Sequence, residues 1–404
     1  MKTVEEALTA ILETVTPCAQ ERVPLLEALG CVLSEEICTD TDLPPFTNSA
    51  VDGFAVCAGD THGANRDSPV LLTVIGEVVA GQMSSQTVLP QTAMRVMTGA
   101  PFPTGADAMV MVEDTHMRDA NTVEVSLPAQ AGQHIRRQGE ELKKGSAVLA
   151  RGTSIRSSEI GILATVGCAE VPVYSAPRVA IFSTGDELVS LEQGATLLPG
   201  QIRDSNRYAL ASLVRETGAI VHSMTHILDD SEATENAFRA CVESGAQVIV
   251  TAGGVSVGDR DFVKPVLEKL GQLEFWRIAM KPGKPLAFGH IGETLFFGLP
   301  GNPVSALVTF ELFVRPTLRK MAGHTVLERV RIPVILEEPV PHIPGRREYV
   351  RAHVRWESGQ AFARITGNQG SSRLSSMVGA NALLIVPEES AGLECGRSAE
   401  ALLL

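Results

Sequence analysis

The sequence predicts a multi-domain chain of α/β plus β class. A central doubly wound α/β domain lies between an N-terminal mixed α/β and β-rich region and a C-terminal β segment. Three observations carry this. Apolar strand-like runs alternate with helical spacing from about Pro177 to Gly323, the pattern of a parallel sheet covered on both faces. Short β-like runs broken by Gly, Pro and Asn turns precede it, and a second β-rich stretch follows Thr325. A length of 404 residues asks for roughly two to four domains rather than one.

The elements follow in order. "MKTVEEALTAILETV" sets Val4, Leu8, Ile11, Leu12 and Val15 on one helical face. "ERVPLLEALGCVLSEEI" reads as a short helix and strand, and "DLPPFTNSAVDGFAV" breaks the pattern with paired prolines and a turn. "LLTVIGEVV" and "DAMVMVED" are the clearest strands of the next region, while "EELKKGSAVLARGTSI" reads as a hairpin and "SSEIGILATVG" as a short helix. Beyond Pro177 the strands "RVAIFST", "AIVHSMTHIL" and "AQVIV" alternate with helices. These are "DSNRYALASLVRETG", ended by Gly218, "DDSEATENAFRACVESG", opened by an acidic cap, and "FVKPVLEKLG". "FWRIAM", "PLAFGHI" and "TLFFGLP" read as further strands, and "NPVSALVTFELFVRPTLRKMAG" as a long amphipathic helix with Pro303 in its first turn. "VRIPVILEEPV", "EYVRAHVRW", "QAFARITG" and "NALLIVPEE" fit a small barrel or sandwich.

Composition narrows the function. The net charge is -13, with no long basic run, which argues against nucleic acid and anionic membranes as partners. An anionic substrate must then be held by local cations and backbone N–H groups. The seven cysteines are scattered and never spaced as CxxC, so a disulfide framework or zinc site is not expected and a reducing cytoplasm fits. No run is apolar and long enough for a bilayer, and the acidic N-terminus does not read as a signal peptide. The histidines form no HExxH, and neither a GxxxxGK[ST] nor a GxGxxG fingerprint occurs.

The chemistry is carried by loops. "TAGGVSVGDRDF" leaves an apolar strand, places Gly253, Gly254 and Gly258 close together, and sets Asp259 and Asp261 around Arg260. Glycines let inward N–H groups form an anion-binding concavity, and aspartates beside it ask for a bridging cation. "STGDEL", "LDD" and "LPGNP" also follow predicted strands, the edge where open α/β sheets bind ligands. Glu187, Asp229, Asp261 and Asn302 are thus expected in one crevice. Any single loop also reads as ordinary turn and cap chemistry; their shared address is what points to a site. "AMKPGKPLAFG" puts Lys281 and Lys284 on a segment stiffened by Pro282 and Pro285, which suits phosphate. Outside this domain Asp52, Thr98, the Arg136–Arg137 and Glu140–Glu141 cluster, Arg351, Arg373 and Ser376 stand at turns.

With these residues in view, the chain resembles the molybdopterin molybdenumtransferase family. The match rests on "NSAVDGFAV", "MTGAPFPTGADAMV", "PRVAIFSTGDELV", "IRDSN", "TAGGVSVGDRDF", "MKPGKPLAFG", "LPGNPVSALVTFELFVRPTL" and "SSRLSSM", in that order over nearly the whole length. Ala252, Glu141, Phe54 and Val51 depart from residues common at those positions. The resemblance implies an elongated homodimer of four domains: 1–44 with 134–172, an inserted β-rich 45–133, a pterin adenylyltransferase-like α/β domain 173–322, and a C-terminal β-barrel 323–404. It implies insertion of molybdenum from molybdate into adenylylated molybdopterin, with release of AMP and with Mg2+ as cofactor. It assigns catalysis to Asp52, Glu187, Asp229, Asp261, Lys281 and Lys284, with Glu187, Asp229 and Asp261 as metal ligands. Substrate contacts fall on Thr98, Ser183, Thr184, Gly253, Gly254, Ser256, Gly258, Asn302 and Ser305, and molybdate on Lys284, Ser305, Arg351 and Ser376. Asp52 and Thr98 are expected at the subunit interface, and the pterin adenylyltransferase and molybdoenzyme maturation proteins are expected partners. Two rival readings are a pterin adenylyltransferase, which needs only the α/β domain, and a non-catalytic scaffold, which has no need of the crevice acids and lysines.

Overall fold

A computed structural model of the chain describes residues 1–193, 196–255 and 262–404. It divides into two compact units. One comprises Met1–Glu35, Gly152–Ile160 and Glu170–Leu404; the other comprises Glu36–Arg151 and Gly161–Ala169.

The first unit opens with the helix Val4–Thr14. Its start is fixed by a capping box, in which the Glu6 N–H donates to Thr3 Oγ1 (3.1 Å) and the Thr3 N–H donates to Glu6 Oε2 (2.8 Å). Val4, Ala7 and Ile11 are its buried stripe.

The unit's central sheet has six strands in the order Ile220–Ile227, Arg178–Thr184, Val248–Ala252, Thr294–Leu299, Pro285–Ile291, Gln272–Arg277. The first four are mutually parallel, as the alternating pattern predicts. The last two correct the expectation of a wholly parallel sheet, because both join antiparallel. For Pro285–Ile291 the reason is local: only Gly292 and Glu293 separate it from Thr294–Leu299. Gly292 has φ 59°, so the chain reverses in a tight turn with no room for a helical crossover.

Continuous apolar runs mark strands buried on both faces. Val179, Ile181, Val248 and Val250 pack on one side with Leu210 and Val214 of the helix Asn206–Glu216 and with the long helix that begins at Pro303. Ala180, Phe182 and Ile249 pack on the other with Phe238 of Ser231–Glu243 and with Val263, Val266 and Leu267 of Val263–Leu270. The doubly wound arrangement follows from this alternation.

The predicted long helix is Pro303–Thr309 and Arg315–Met321 joined by a π turn at Phe310–Val314. Pro316 lacks an N–H for the Leu312 carbonyl, so a wide turn where the ladder must skip a donor is the expected local solution.

The C-terminal strands close into a barrel. Arg347–Glu357, Gln360–Ile365, Arg331–Leu336, Ser398–Leu403 and Ala382–Val386 follow one another, and the last pairs back with the first. Met280–Lys281 adds in parallel to the Arg347–Glu348 end, which ties the lysine loop to the barrel.

The second unit is built on a six-stranded sheet in the order Ala108–Met111, Gly53–Val56, Thr92–Val96, Val70–Val78, Thr122–Val125, Thr115–Asp119. The predicted hairpin in "EELKKGSAVLARGTSI" does not form. Ala147–Leu149 pairs with Ile37–Cys38, and Leu142 exchanges backbone hydrogen bonds of 3.1 and 2.7 Å with Leu43. Both arms find an earlier segment of chain as partner instead of each other. Among the described residues no helix is long and apolar enough to cross a membrane.

Candidate functional site

Within the first unit, the parallel strands end together. Thr184 pairs with Ile227, Ser183 with Ala252, and Ala252 with Leu299, so the loops that follow them share one edge. They enclose a cleft of about 670 Å3. Thr184, Glu187, Asp229, Gly253, Gly254 and Asn302 all line it; of the four residues expected to converge from the loop pattern, Glu187, Asp229 and Asn302 do so, and Asp261 lies outside the described residues. Arg203 and Asn206 line it as well.

The glycines at the Val248–Ala252 strand end are needed on two counts. Gly253 and Gly254 have φ of 98° and 68°. A Cβ on Gly253 would stand 2.8 Å from Thr184 Oγ1, and one on Gly254 would stand 2.3 Å from Val263 Cγ2. The Gly253 amide does not face a ligand, since it donates to the Leu299 carbonyl at 3.0 Å. That corrects the expectation that this N–H joins an anion nest. Ser256, Gly258 and Asp261, with Arg260, lie outside the described residues.

Two carboxylates of the cleft bear on metal binding. Glu187 folds over Gly185, where a Cβ would stand 2.5 Å from its Oε2. The Asp229 N–H donates to Asp186 Oδ1 at 3.1 Å. Among the described residues no group of three His, Cys, Asp or Glu side chains is arranged to hold a metal ion. Mg2+ ordinarily binds through one or two carboxylates, with waters and substrate phosphate oxygens completing its shell. Glu187 and Asp229 on one cleft fit such an ion.

A second hollow, of about 500 Å3, meets this cleft at Pro285. Lys281, Lys284, Ser305, Arg346 and Glu348 line it, with the 368–371 turn. Gly283, at φ 104°, lets the segment pass Thr309 Oγ1, which would be 2.5 Å from a Cβ. Lys281 is ion-paired with the buried Glu348 at 2.8 Å. Among the described residues neither Lys284 nor Arg346 has a carboxylate partner within 4.0 Å.

Arg351 and Ser376 sit beneath this hollow's wall. Arg351 is 1% exposed; its Nε donates to Ser376 Oγ (3.1 Å) and its Nη2 to the carbonyl of Gly370 (3.1 Å). Burial pulls its pKa below the ordinary arginine value, with Glu348 acting in the opposite sense. Both residues hold the turn that forms the wall.

Asp52 and Thr98 belong to the second unit and meet there. Asp52 Oδ1 accepts from the Thr98 N–H (2.6 Å) and from its hydroxyl (2.8 Å). These two bonds, the backbone one first, hold the exposed carboxyl below the ordinary aspartate value.

The Asp204–Arg207 pair, Arg346 and Glu348 were not singled out from sequence, and one expected contact is corrected. Ser183, expected to touch substrate, is fully buried and donates to Asp204 Oδ2 at 2.6 Å. Arg207 Nε lies 3.0 Å from that same oxygen, at an angle that makes an ion pair but not a hydrogen bond. Arg346 enters the lysine hollow from the barrel, and Glu348 beside it keeps a buried Oε2 with no hydrogen-bond partner. Asp and Arg three residues apart in "IRDSNR" was the available signal for the first pair; nothing in the pattern marked the others.

The fold and site define a class: a multi-domain α/β protein whose carboxylate-bearing cleft adjoins a cation-lined hollow beside a closed barrel. Comparison with known proteins then fixes the family. Residues 2–167 match the MoeA N-terminal region (domain I and II), 180–320 a probable molybdopterin binding domain, and 333–404 the MoeA C-terminal region (domain IV). The chain is 37% identical over 401 residues to the molybdopterin molybdenumtransferase of Haemophilus influenzae, covering 98% of this chain and 97% of that one. It is 38% identical over 402 residues to molybdopterin molybdenumtransferase 2 of Mycobacterium tuberculosis, covering 98% of each. The crystal structure of a molybdopterin biosynthesis MoeA protein from Pyrococcus horikoshii superposes with a TM-score of 0.85 at 32% identity, over the full length of both chains. The chain belongs to the MoeA, or molybdopterin molybdenumtransferase, family.

Proposed function

We propose that this chain is an enzyme that inserts molybdenum from molybdate into adenylylated molybdopterin, forming molybdenum cofactor and releasing AMP. Membership of a family whose relatives carry that transferase name supports the reading. The observation that carries it is the junction at Pro285 of a carboxylate cleft and a cationic hollow. A reaction that joins a diphosphate-linked substrate to a separate oxyanion needs both.

The residues divide the work. Thr184 and the Gly254 amide take phosphate oxygens at the strand end. Glu187 and Asp229, with Asp261, would hold Mg2+, which when bound would polarise the phosphoanhydride and offset charge on AMP. Lys284 and Ser305 hold molybdate in the hollow. Lys281, anchored by Glu348, supplies a second fixed cation, and Arg351 and Ser376 keep the wall in place. Asn302 closes the cleft beside the bound nucleotide.

The same reading takes the protein to be a cytoplasmic homodimer of four domains, bounded as the sequence suggests. Asp52 and Thr98 are then brought to the site by the partner subunit, the Asp52 carboxylate held ionised by Thr98. The pterin adenylyltransferase supplies the substrate, and molybdoenzyme maturation proteins receive the product.

The test combines purified protein, adenylylated molybdopterin and Mg2+, and follows AMP with and without molybdate. AMP release that rises with molybdate supports insertion. Release indifferent to molybdate, or ATP-dependent adenylylation of bare molybdopterin, overturns it.

A further inference from the structure

Asp204 is 2% exposed and sits where several elements of the first unit meet. Its backbone N–H donates to the Val189 carbonyl at 3.1 Å, and the neighbouring Ile202 N–H donates to the Glu187 carbonyl at 2.9 Å. These bonds pair Leu188–Val189 in parallel with Ile202–Arg203. The Glu187 backbone therefore hangs on a two-residue strand, too short to hold itself in place.

The Asp204 side chain ties that strand to its neighbours. Oδ2 accepts from Ser183 Oγ at 2.6 Å, at the end of the Arg178–Thr184 strand. Oδ1 accepts from the Arg207 N–H at 3.2 Å, in the first turn of Asn206–Glu216. Arg207 Nε lies 3.0 Å from Oδ2, with side chains of the pair 8% and 1% exposed. Arg207 Nη2 reaches on to Glu192 Oε2 at 3.7 Å, and Glu192 Oε1 accepts from the Tyr208 hydroxyl at 2.6 Å. One buried carboxylate thus joins a sheet strand, a helix and the segment that carries Glu187.

A buried ion pair is weak ground for stability, since an apolar pair of similar volume often serves as well. Its use lies in placement. We propose that Asp204, held by Ser183 and Arg207, is a positioning residue that fixes the Glu187 carboxylate at the cleft. The inference rests on the proposed role of Glu187 toward Mg2+.

The test uses the full-length protein and two variants. Asp204→Asn removes the charge, and Ser183→Ala removes one donor while leaving the ion pair, so it stays informative if the first variant misfolds. Hydrogen exchange, read without any substrate, should accelerate at the Ile202 and Asp204 amides and stay unchanged in Val248–Ala252. In molybdate-dependent AMP release, half-saturation by Mg2+ should rise roughly 10-fold or more, while half-saturation by molybdate stays put. Unchanged exchange at Ile202 and Asp204 in Ser183→Ala overturns the proposal, as does acceleration spread evenly over the sheet. If the wild-type protein shows no molybdate-dependent AMP release, the insertion reading fails, and exchange alone decides the role of Asp204.

Discussion

The two hollows that meet at Pro285 are opposite in charge and in construction. The cleft is made by loops at the ends of parallel strands and carries Glu187 and Asp229. The hollow is made by a proline-stiffened turn against a closed barrel and carries Lys281, Lys284 and Arg346. A cleft of backbone turns and carboxylates suits a cation bridged to phosphate, whereas fixed ammonium and guanidinium groups suit a free oxyanion. On the proposed function the opposite linings give the two anionic reactants separate places, the phosphate one requiring a bridging cation. On that reading each half takes its own reactant, with Pro285 in the wall between them.

Substitutions can break that division. Lys284→Ala should have the largest effect, lowering molybdate-dependent AMP release roughly 10- to 1,000-fold if the ammonium stabilises developing charge. Steady-state rates at saturating Mg2+ check this; a rate within twofold of wild type would remove Lys284 from the account. Asp229→Asn should raise the Mg2+ half-saturation roughly 10- to 100-fold and leave that for molybdate unchanged. If both constants rise together, the halves are not independent.

Gly254→Ala should cost about 1–3 kcal/mol of stability, because the residue has φ 68° and its Cβ would meet Val263 Cγ2 at 2.3 Å. Denaturant titration measures it, and an unaltered midpoint would contradict the geometry at the strand end. The smallest effect concerns Asp52 in the other unit. Its pKa is depressed by the Thr98 N–H first and hydroxyl second. The stabilisation this gives is therefore present above the unfolded aspartate value of about 3.9, and is lost as pH falls through the lower folded value. Thr98→Ala keeps the N–H, so an NMR titration should find the Asp52 pKa raised part of the way back. No movement would mean that the hydroxyl contact is not made in solution.

The cleft was legible because its chemistry sits at strand ends, and strand ends follow from local pattern. Thr184 ends, and Glu187, Asp229, Gly253, Gly254 and Asn302 follow, strands that hydrophobic runs identify, and a doubly wound sheet has one edge for them all. The glycines were expected for an anion nest, whereas the structure needs Gly253 and Gly254 for positive φ and close packing, with the Gly253 amide taken up by the Leu299 carbonyl. The antiparallel end of the sheet was missed where two residues, Gly292 and Glu293, stand in place of a helix. The "EELKKGSAVLARGTSI" segment was misread as a hairpin because nothing local shows that Ile37–Cys38 and Leu43 compete for its arms.

Burial of charge was the least legible property. Asp204, Arg207, Glu348 and Arg351 are all within a tenth of full burial, yet as a sequence they read as polar residues of loops, a helix and a strand. Only the tertiary partners decide this: Ser183 for Asp204, Lys281 for Glu348, Ser376 and the Gly370 carbonyl for Arg351. Arg346 reaches the hollow because Met280–Lys281 pairs with the barrel at Arg347 and Glu348, a contact between segments far apart in the chain.

The division of labour between the two hollows is tested most directly by crystals soaked in molybdate and AMP with Mg2+, using anomalous scattering to find the molybdenum. The account predicts one peak within hydrogen-bonding reach of Lys284 Nζ and Ser305 Oγ, with the AMP phosphate across Pro285 beside Thr184 and Gly254. A molybdenum peak in the carboxylate cleft, or AMP phosphate among the lysines, would contradict it.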